Sequence, residues 1–137
     1  MTPTELAGLY AAAFPGARGW SDDEFSSLLA SPHCYLVSSQ QSFALGRVIA
    51  DEAELLTIAT HPDHQGQGLG GQCLRGFEQE AIQRGATRAF LEVASDNPAA
   101  IHLYESQGWQ RAGVRKGYYT RKAGPAVDAL LLDKTLT

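Results

Sequence analysis

Only two of the 137 residues are cysteine, Cys34 and Cys73, and they stand in unrelated contexts with no CxxC or Cys/His ligand spacing. Neither a disulfide scaffold nor a zinc site is supported, and a reducing cytoplasm is the expected location. Positive charge is also short: eleven Lys and Arg face fifteen Asp and Glu, for a formal net charge of -4. That balance gives no general attraction to phosphate backbones or anionic lipid, so neither nucleic acid nor a membrane is an expected partner. The N-terminus lacks the basic start and continuous apolar stretch of a signal peptide, since Thr2, Pro3, Thr4 and Glu5 precede apolar residues at helical spacing. No repeat, linker or low-complexity tract interrupts the chain. What is present is 44% apolar and 19% charged residues, a globular composition. A chain of this length is expected to form one domain over residues 1–137.

Two helices are expected before any strand. Thr2 and Pro3 suit the start of a helix over about 3–14, and Ser21 with Glu24 forms a capping-box pattern ahead of Phe25, Leu28 and Leu29. Three apolar runs follow at 34–37, 43–50 and 53–60, joined by connections short enough to be hairpins, which predicts an antiparallel meander. Leu69, Cys73, Leu74, Phe77, Ala81 and Ile82 then recur at helical spacing until Gly85, giving the longest helix. The run 89–93 must lie parallel to the strand before that helix, because a helical crossover separates the two. Asn97 and Pro98 open a fourth helix that Gly108 ends, and two last strands are expected at about 109–115 and 127–136, with a tyrosine-rich, basic loop between them. The fold class is α/β (α+β): a central, mixed, mostly antiparallel twisted sheet flanked by helices, with one parallel βαβ unit.

The strongest chemical signal is Gln65, Gly66, Gln67, Gly68, Leu69, Gly70 and Gly71, between a strand and the start of the longest helix. A helix start offers four unpaired amides and about half a positive charge, and residues without a Cβ let a pyrophosphate approach the backbone. Gly66, Gly68 and Gly71 also satisfy the GxGxxG dinucleotide fingerprint, with Glu92 about twenty residues on as a candidate ribose acid. Against NAD stand the residues inserted between strand and first glycine, and a chain too short for a dinucleotide fold plus a substrate domain. No Gly-Lys-Ser or Gly-Lys-Thr follows, so a Walker loop is weaker still.

Gln65, Gly68 and Gly70 meet the Gln/Arg-x-x-Gly-x-Gly/Ala pattern of the GNAT acetyltransferases, and the chain resembles that family from about residue 14 to 132. Trp20-Ser21, Leu91-Glu92-Val93, Asn97 with Ala100, Leu103-Tyr104-Glu105, Gly108-Trp109, Tyr118-Tyr119 and Asp128-Ala129 carry the likeness. Within the family it looks most like the RimI-type enzymes that acetylate the N-terminal alanine of a ribosomal protein. The resemblance implies acetyl-CoA as co-substrate and no metal, in a cleft where two parallel strands splay apart. Ile58, Ala59 and Thr60 would pair with the pantetheine, the loop from Gly66 to Gly71 would hold the pyrophosphate, and Asn97 would contact CoA. Ala94 and Thr120 depart from the subfamily pattern, where Arg and Pro are usual, and these departures bear on the acceptor.

Acyl transfer to an amine needs a neutral nucleophile and a proton for the departing thiolate. An N-terminal ammonium titrates near 7.7 to 8.0, so a modest base suffices. Glu92, sharing a face with Phe90 at the carboxyl end of a parallel strand, is the candidate base, the alternative being a solvated carboxylate or an ion pair with an arginine. By the resemblance Tyr104 is the general acid; by its neighbours Ala100, Ile101 and Leu103 it is a core aromatic. Tyr118 and Tyr119, among Arg115, Lys116, Arg121 and Lys122, are read as one wall for a peptide substrate, with Trp20 and the turn at 15–19 as the other. His61 and His64 lack the further ligands a zinc site uses. A small-molecule amine acetyltransferase, a CoA-binding module without turnover and a dinucleotide-binding oxidoreductase are the competing functions.

Overall fold

The computed structural model describes residues 1–15, 19–39, 41–121 and 123–136. Helices α1 (Pro3–Ala13) and α2 (Asp22–Ala30) come first, each opened by a complete capping box, Thr2 with Glu5 and Ser21 with Glu24. The reciprocal bonds satisfy two orphan amides at each start, which is why polar pairs three apart read so clearly as helix beginnings. Strands β1 (Cys34–Ser39), β2 (Ser42–Ile49) and β3 (Glu52–Thr60) form the antiparallel meander. Helix α3 (Leu69–Gln83) carries the chain over to β4 (Arg88–Ala94), which pairs parallel to β3, and α4 (Pro98–Ser106), β5 (Gln110–Tyr119) and β6 (Val127–Thr135) complete the order.

All six strands join one sheet in the order β1-β2-β3-β4-β6-β5, so the last strand inserts beside β4 and leaves β5 at the edge. Neighbouring residues of β2 divide between two cores, as the alternation of a strand requires. Phe43 and Leu45 pack with Leu6, Leu9, Phe25 and Ala59 under α1 and α2. Ala44 packs on the other face with Leu74, Phe77, Leu91, Tyr104 and Leu132, under α3 and α4. The approach of α3 is close enough that a Cβ on Gly46 would lie 2.6 Å from the Phe77 ring.

Residues 116–119 are strand rather than loop: β5 runs on to Tyr119, with its pairing to β6 shifting register between Arg111 and Gly113 and again between Arg115 and Tyr119. All of β5 except Tyr119 is exposed, so its side chains follow no apolar alternation that would reveal a strand. Residues 16–18 of the expected turn at 15–19, and Lys122, lie outside the described residues. No described helix is long and apolar enough to cross a membrane.

Candidate active site

Strands β3 and β4 pair only at their beginnings, Glu52, Ala53 and Glu54 opposite Arg88, Ala89 and Phe90. Beyond that point they part. Ile58, Ala59 and Thr60 stay bonded to β2 on one side through Ala44, Phe43 and Ser42, which leaves their β4-facing edge available to an extended ligand. β4 meanwhile keeps its pairing with β6 from Arg88 to Ala94. The resulting wedge is a cavity of about 290 Å³, walled by Ile58, Ala59 and Thr60, by the glycine loop and by α4.

The loop is held open from behind. Gln65 Nε2 donates to the Thr60 carbonyl at 3.3 Å, so this side chain braces the turn against the strand it leaves. Gly66 and Gly68 both sit at φ +80°, the left-handed region where a side chain is strained, and Gly68 is the N-cap of α3. No side chain caps that helix and no acidic residue occupies its first turn, in contrast to α1 and α2. Its uncapped amides open on the cavity, whose wall includes Gly66, Gly68, Leu69, Gly70 and Gly71. An anion is the natural partner for such an end. Gln67 is exposed and outside the wall. Across the wedge, Asn97 Oδ1 accepts from the Ala100 amide at 3.2 Å, so it caps α4 and lines the cavity at once.

Glu92 and Tyr104 are not in the wall of that cavity. In β4 the residues Ala89, Leu91 and Val93 are buried, and Phe90 and Glu92 take the other face. The Glu92 carboxylate receives Arg115 at 3.1 Å, Nε to Oε1. Tyr104 is buried among the α4 side of the core, its ring 6.1 Å from that of Trp109. Burial first, and the neighbouring Tyr119 hydroxyl second, hold its phenol well above the ordinary tyrosine range. Tyr119 is likewise pushed up to about 12, by burial, then by Glu92, Tyr118 and Tyr10.

Trp20 packs on Tyr10 and Phe25, with ring centroids 5.7 and 5.4 Å away, while Tyr118 and Tyr119 meet edge to face at 5.1 Å. Arg121 bonds both carboxylate oxygens of Asp96, at 3.1 and 2.9 Å, and its guanidinium carbon lies 5.6 Å from the Tyr119 ring centre. That fork ties the end of β5 to the turn before α4 and keeps Asp96 below the usual carboxylate range. Sequence reasoning passed over Ala13, Phe14, His64, Ala99 and Leu103 in the cavity wall, and Tyr10 beside Tyr119. Helical spacing marks Tyr10, Phe14 and Leu103 as apolar-face residues, and nothing local separates a wall from a core. Cys34 and Cys73 are buried free thiols, and no cluster of three or more metal-ligating side chains occurs among the described residues.

A sequence model described as the Acetyltransferase (GNAT) family matches residues 6–109. The [ribosomal protein bS18]-alanine N-acetyltransferase of Escherichia coli strain K12 is 38% identical over 138 aligned residues, covering 94% of this chain and 90% of that protein. The N-alpha-acetyltransferase RimI of Mycobacterium tuberculosis is 38% identical over 122, covering 82% and 75%. Among solved structures, the ribosomal-protein-S18-alanine N-acetyltransferase of Escherichia coli superposes with a TM-score of 0.88 at 33% identity, over 98% of this chain and 88% of that one.

Proposed function

Because the chain belongs to the acetyltransferase (GNAT) family and is an N-acetyltransferase, we propose that it transfers acetyl from acetyl-CoA to the N-terminal α-amino group of a protein, a ribosomal protein with N-terminal alanine being the preferred acceptor. The observation that carries the co-substrate reading is the wedge between β3 and β4, where a free strand edge and an uncapped helix start share one cavity. The names of the relatives just described support the acceptor. The cytoplasm, where ribosomal proteins are made, is the location that goes with it.

Acetyl-CoA, when bound, supplies an acetyl group activated as a thioester. Ile58, Ala59 and Thr60 take the pantetheine as a strand takes a neighbour, and amides of Gly66, Gln67, Gly68, Leu69, Gly70 and Gly71 receive the pyrophosphate. Gln65 holds that loop in place, and Asn97 contacts CoA from the start of α4. Glu92, directly or through water, removes the proton from the acceptor ammonium and passes it to solvent. The neutral nitrogen forms the new N–C bond as the C–S bond breaks. Tyr104 gives its hydroxyl proton to the sulfur and regains one from the acylated nitrogen, so protons balance. The Tyr104 phenol is protonated at neutral pH, as a proton donor must be, and burial raises it further and so makes it a weaker acid. Trp20, Tyr118 and Tyr119 flank the acceptor peptide.

The test joins binding to turnover. Acetyl-CoA and CoA should raise the melting temperature and NADH should not, and an alanine-initiated peptide should gain one acetyl at its α-amine by mass spectrometry. Glu92→Gln should lower kcat by about 5- to 10-fold at pH 7, the factor set by the neutral fraction of an N-terminal amine, with the deficit shrinking above pH 8 and acetyl-CoA binding intact. Normal CoA binding with both Glu92→Gln and Tyr104→Phe silent would leave a binding module instead. Faster turnover of free small amines than of the peptide would remove the protein acceptor.

A further inference from the structure

We propose that Arg115 is a stand-in for the acceptor's ammonium group: in the free enzyme it occupies Glu92, and acceptor binding exchanges guanidinium for ammonium on the same carboxylate. The proposal rests on the reading of Glu92 as the group that takes the acceptor's proton.

Three observations support an exchangeable contact rather than a fixed brace. Arg115 is the outer member of the pair, its side chain 55% exposed against 23% for Glu92, so a cation arriving from solvent meets the guanidinium first. Their ion pair is an Nε to Oε1 approach of 3.1 Å, and no side-chain hydrogen bond joins the two among the described residues. Arg121, by comparison, holds Asp96 through two bonds with its own side chain only 18% exposed, which is how a structural clamp is built. Finally, Arg115 stands on the edge strand just where regular pairing to β6 lapses, between Arg115 opposite Ala129 and Tyr119 opposite Val127. Gly117, two residues on, has φ +58°.

A second seat for the displaced side chain already exists. The Arg115 guanidinium carbon is 5.3 Å from the ring centre of Tyr118, itself 53% exposed, so the cation keeps an aromatic face when it gives up the carboxylate. The nearby Lys116 lies instead 3.8 Å from Asp128. The two cations compete for one carboxylate but differ in chemistry: a guanidinium does not surrender its proton in the physiological range, so only the ammonium can give one to Glu92. An ammonium in the same place brings both the charge that satisfies the carboxylate and the proton that must leave.

An ion pair this exposed is weak, so its competition costs the acceptor only a small factor. Calorimetry of an alanine-initiated peptide against the CoA-saturated enzyme should show its Kd falling about two- to fivefold in Arg115→Leu. Arg115→Lys, which keeps a cation there, should stay near the wild-type Kd, and the KM for acetyl-CoA should not move in either. In a Glu92→Gln background Arg115→Leu should bring no fall at all, because the contested carboxylate is gone. A peptide Kd that is unchanged or raised in Arg115→Leu, or a loss of kcat at constant Kd, would instead make Arg115 an orienting partner of Glu92 and overturn the exchange. If Glu92→Gln alone leaves kcat unaltered, the role of Glu92 falls first and the exchange with it, an outcome recognisable without any Arg115 variant.

Discussion

Replacing Gly68 by alanine isolates the geometry of the loop from every other contribution. A Cβ at this position meets nothing within 4 Å, so no clash accompanies the change. The whole cost lies in φ +80°, a left-handed conformation that disfavours alanine by about 1–2 kcal/mol. For a chain of this length about 1 kcal/mol moves the melting temperature by about 3–4 °C, so a fall of about 3–8 °C is expected without ligand. The strain has an alternative outlet, which is to turn the peptide planes of 66–68 and misdirect the amides at the start of α3. The ligand-dependent part of the melt should therefore shrink too. At one hundred times its dissociation constant, acetyl-CoA stabilises the wild type by about 2.7 kcal/mol, and a tenfold loss of affinity removes about 1.4 kcal/mol of it. Gly70→Ala is the control, since that glycine is not at positive φ and its Cβ would meet Leu103 and Thr60 at an ordinary 3.5 Å. Differential scanning fluorimetry of the three proteins over an acetyl-CoA titration reads both effects. A Gly68→Ala protein with wild-type melting and a wild-type acetyl-CoA shift would refute the argument that the left-handed turn presents the amides.

Alkaline stability should report the buried phenols. Tyr104 and Tyr119 are both raised in the folded state, so their contribution is complete below the unfolded value near 10 and is lost as pH climbs through the folded ones, Tyr119 at about 12. Denaturant melts from pH 9 upward should fall less steeply for Tyr104→Phe than for wild type, and equal slopes would contradict the burial argument. On the far side of α3, Lys134 Nζ donates to Glu78 Oε1 at 2.6 Å and to the Gln107 carbonyl at 2.7 Å, while Trp109 Nε1 donates to Glu78 Oε2 at 3.3 Å. Lys134→Met strands a mostly buried carboxylate and should cost about 3 kcal/mol, or about 10 °C of melting temperature. A drop under about 3 °C would show that Glu78 protonates or rehydrates with little penalty.

Much of this molecule was legible one segment at a time. Thr2 with Glu5, Ser21 with Glu24 and Asn97 before Pro98 mark helix starts because caps are satisfied within three residues of chain. The parallel placement of β4 followed from α3 lying between it and β3. The end of β5 was not legible, because an exposed edge strand has no buried face to impose a pattern on 116–119. Nor could any local pattern tell that Glu92, one of several carboxylates, is the one Arg115 reaches, or that Arg121 closes back on Asp96.

The amino-acid sequence by itself determined the elements, their order, the glycine loop at the head of α3 and, through its likeness to a family, the chemistry of acetyl transfer. Tertiary structure alone decided how far β3 and β4 stay paired, which side chains line the wedge between them, and which charges meet across β6. The first set rests on forces acting over a few residues: caps, periodicity and the conformational freedom of glycine. The second depends on packing and electrostatics between segments far apart in the chain, which exist only once the sheet has set its strand order and register.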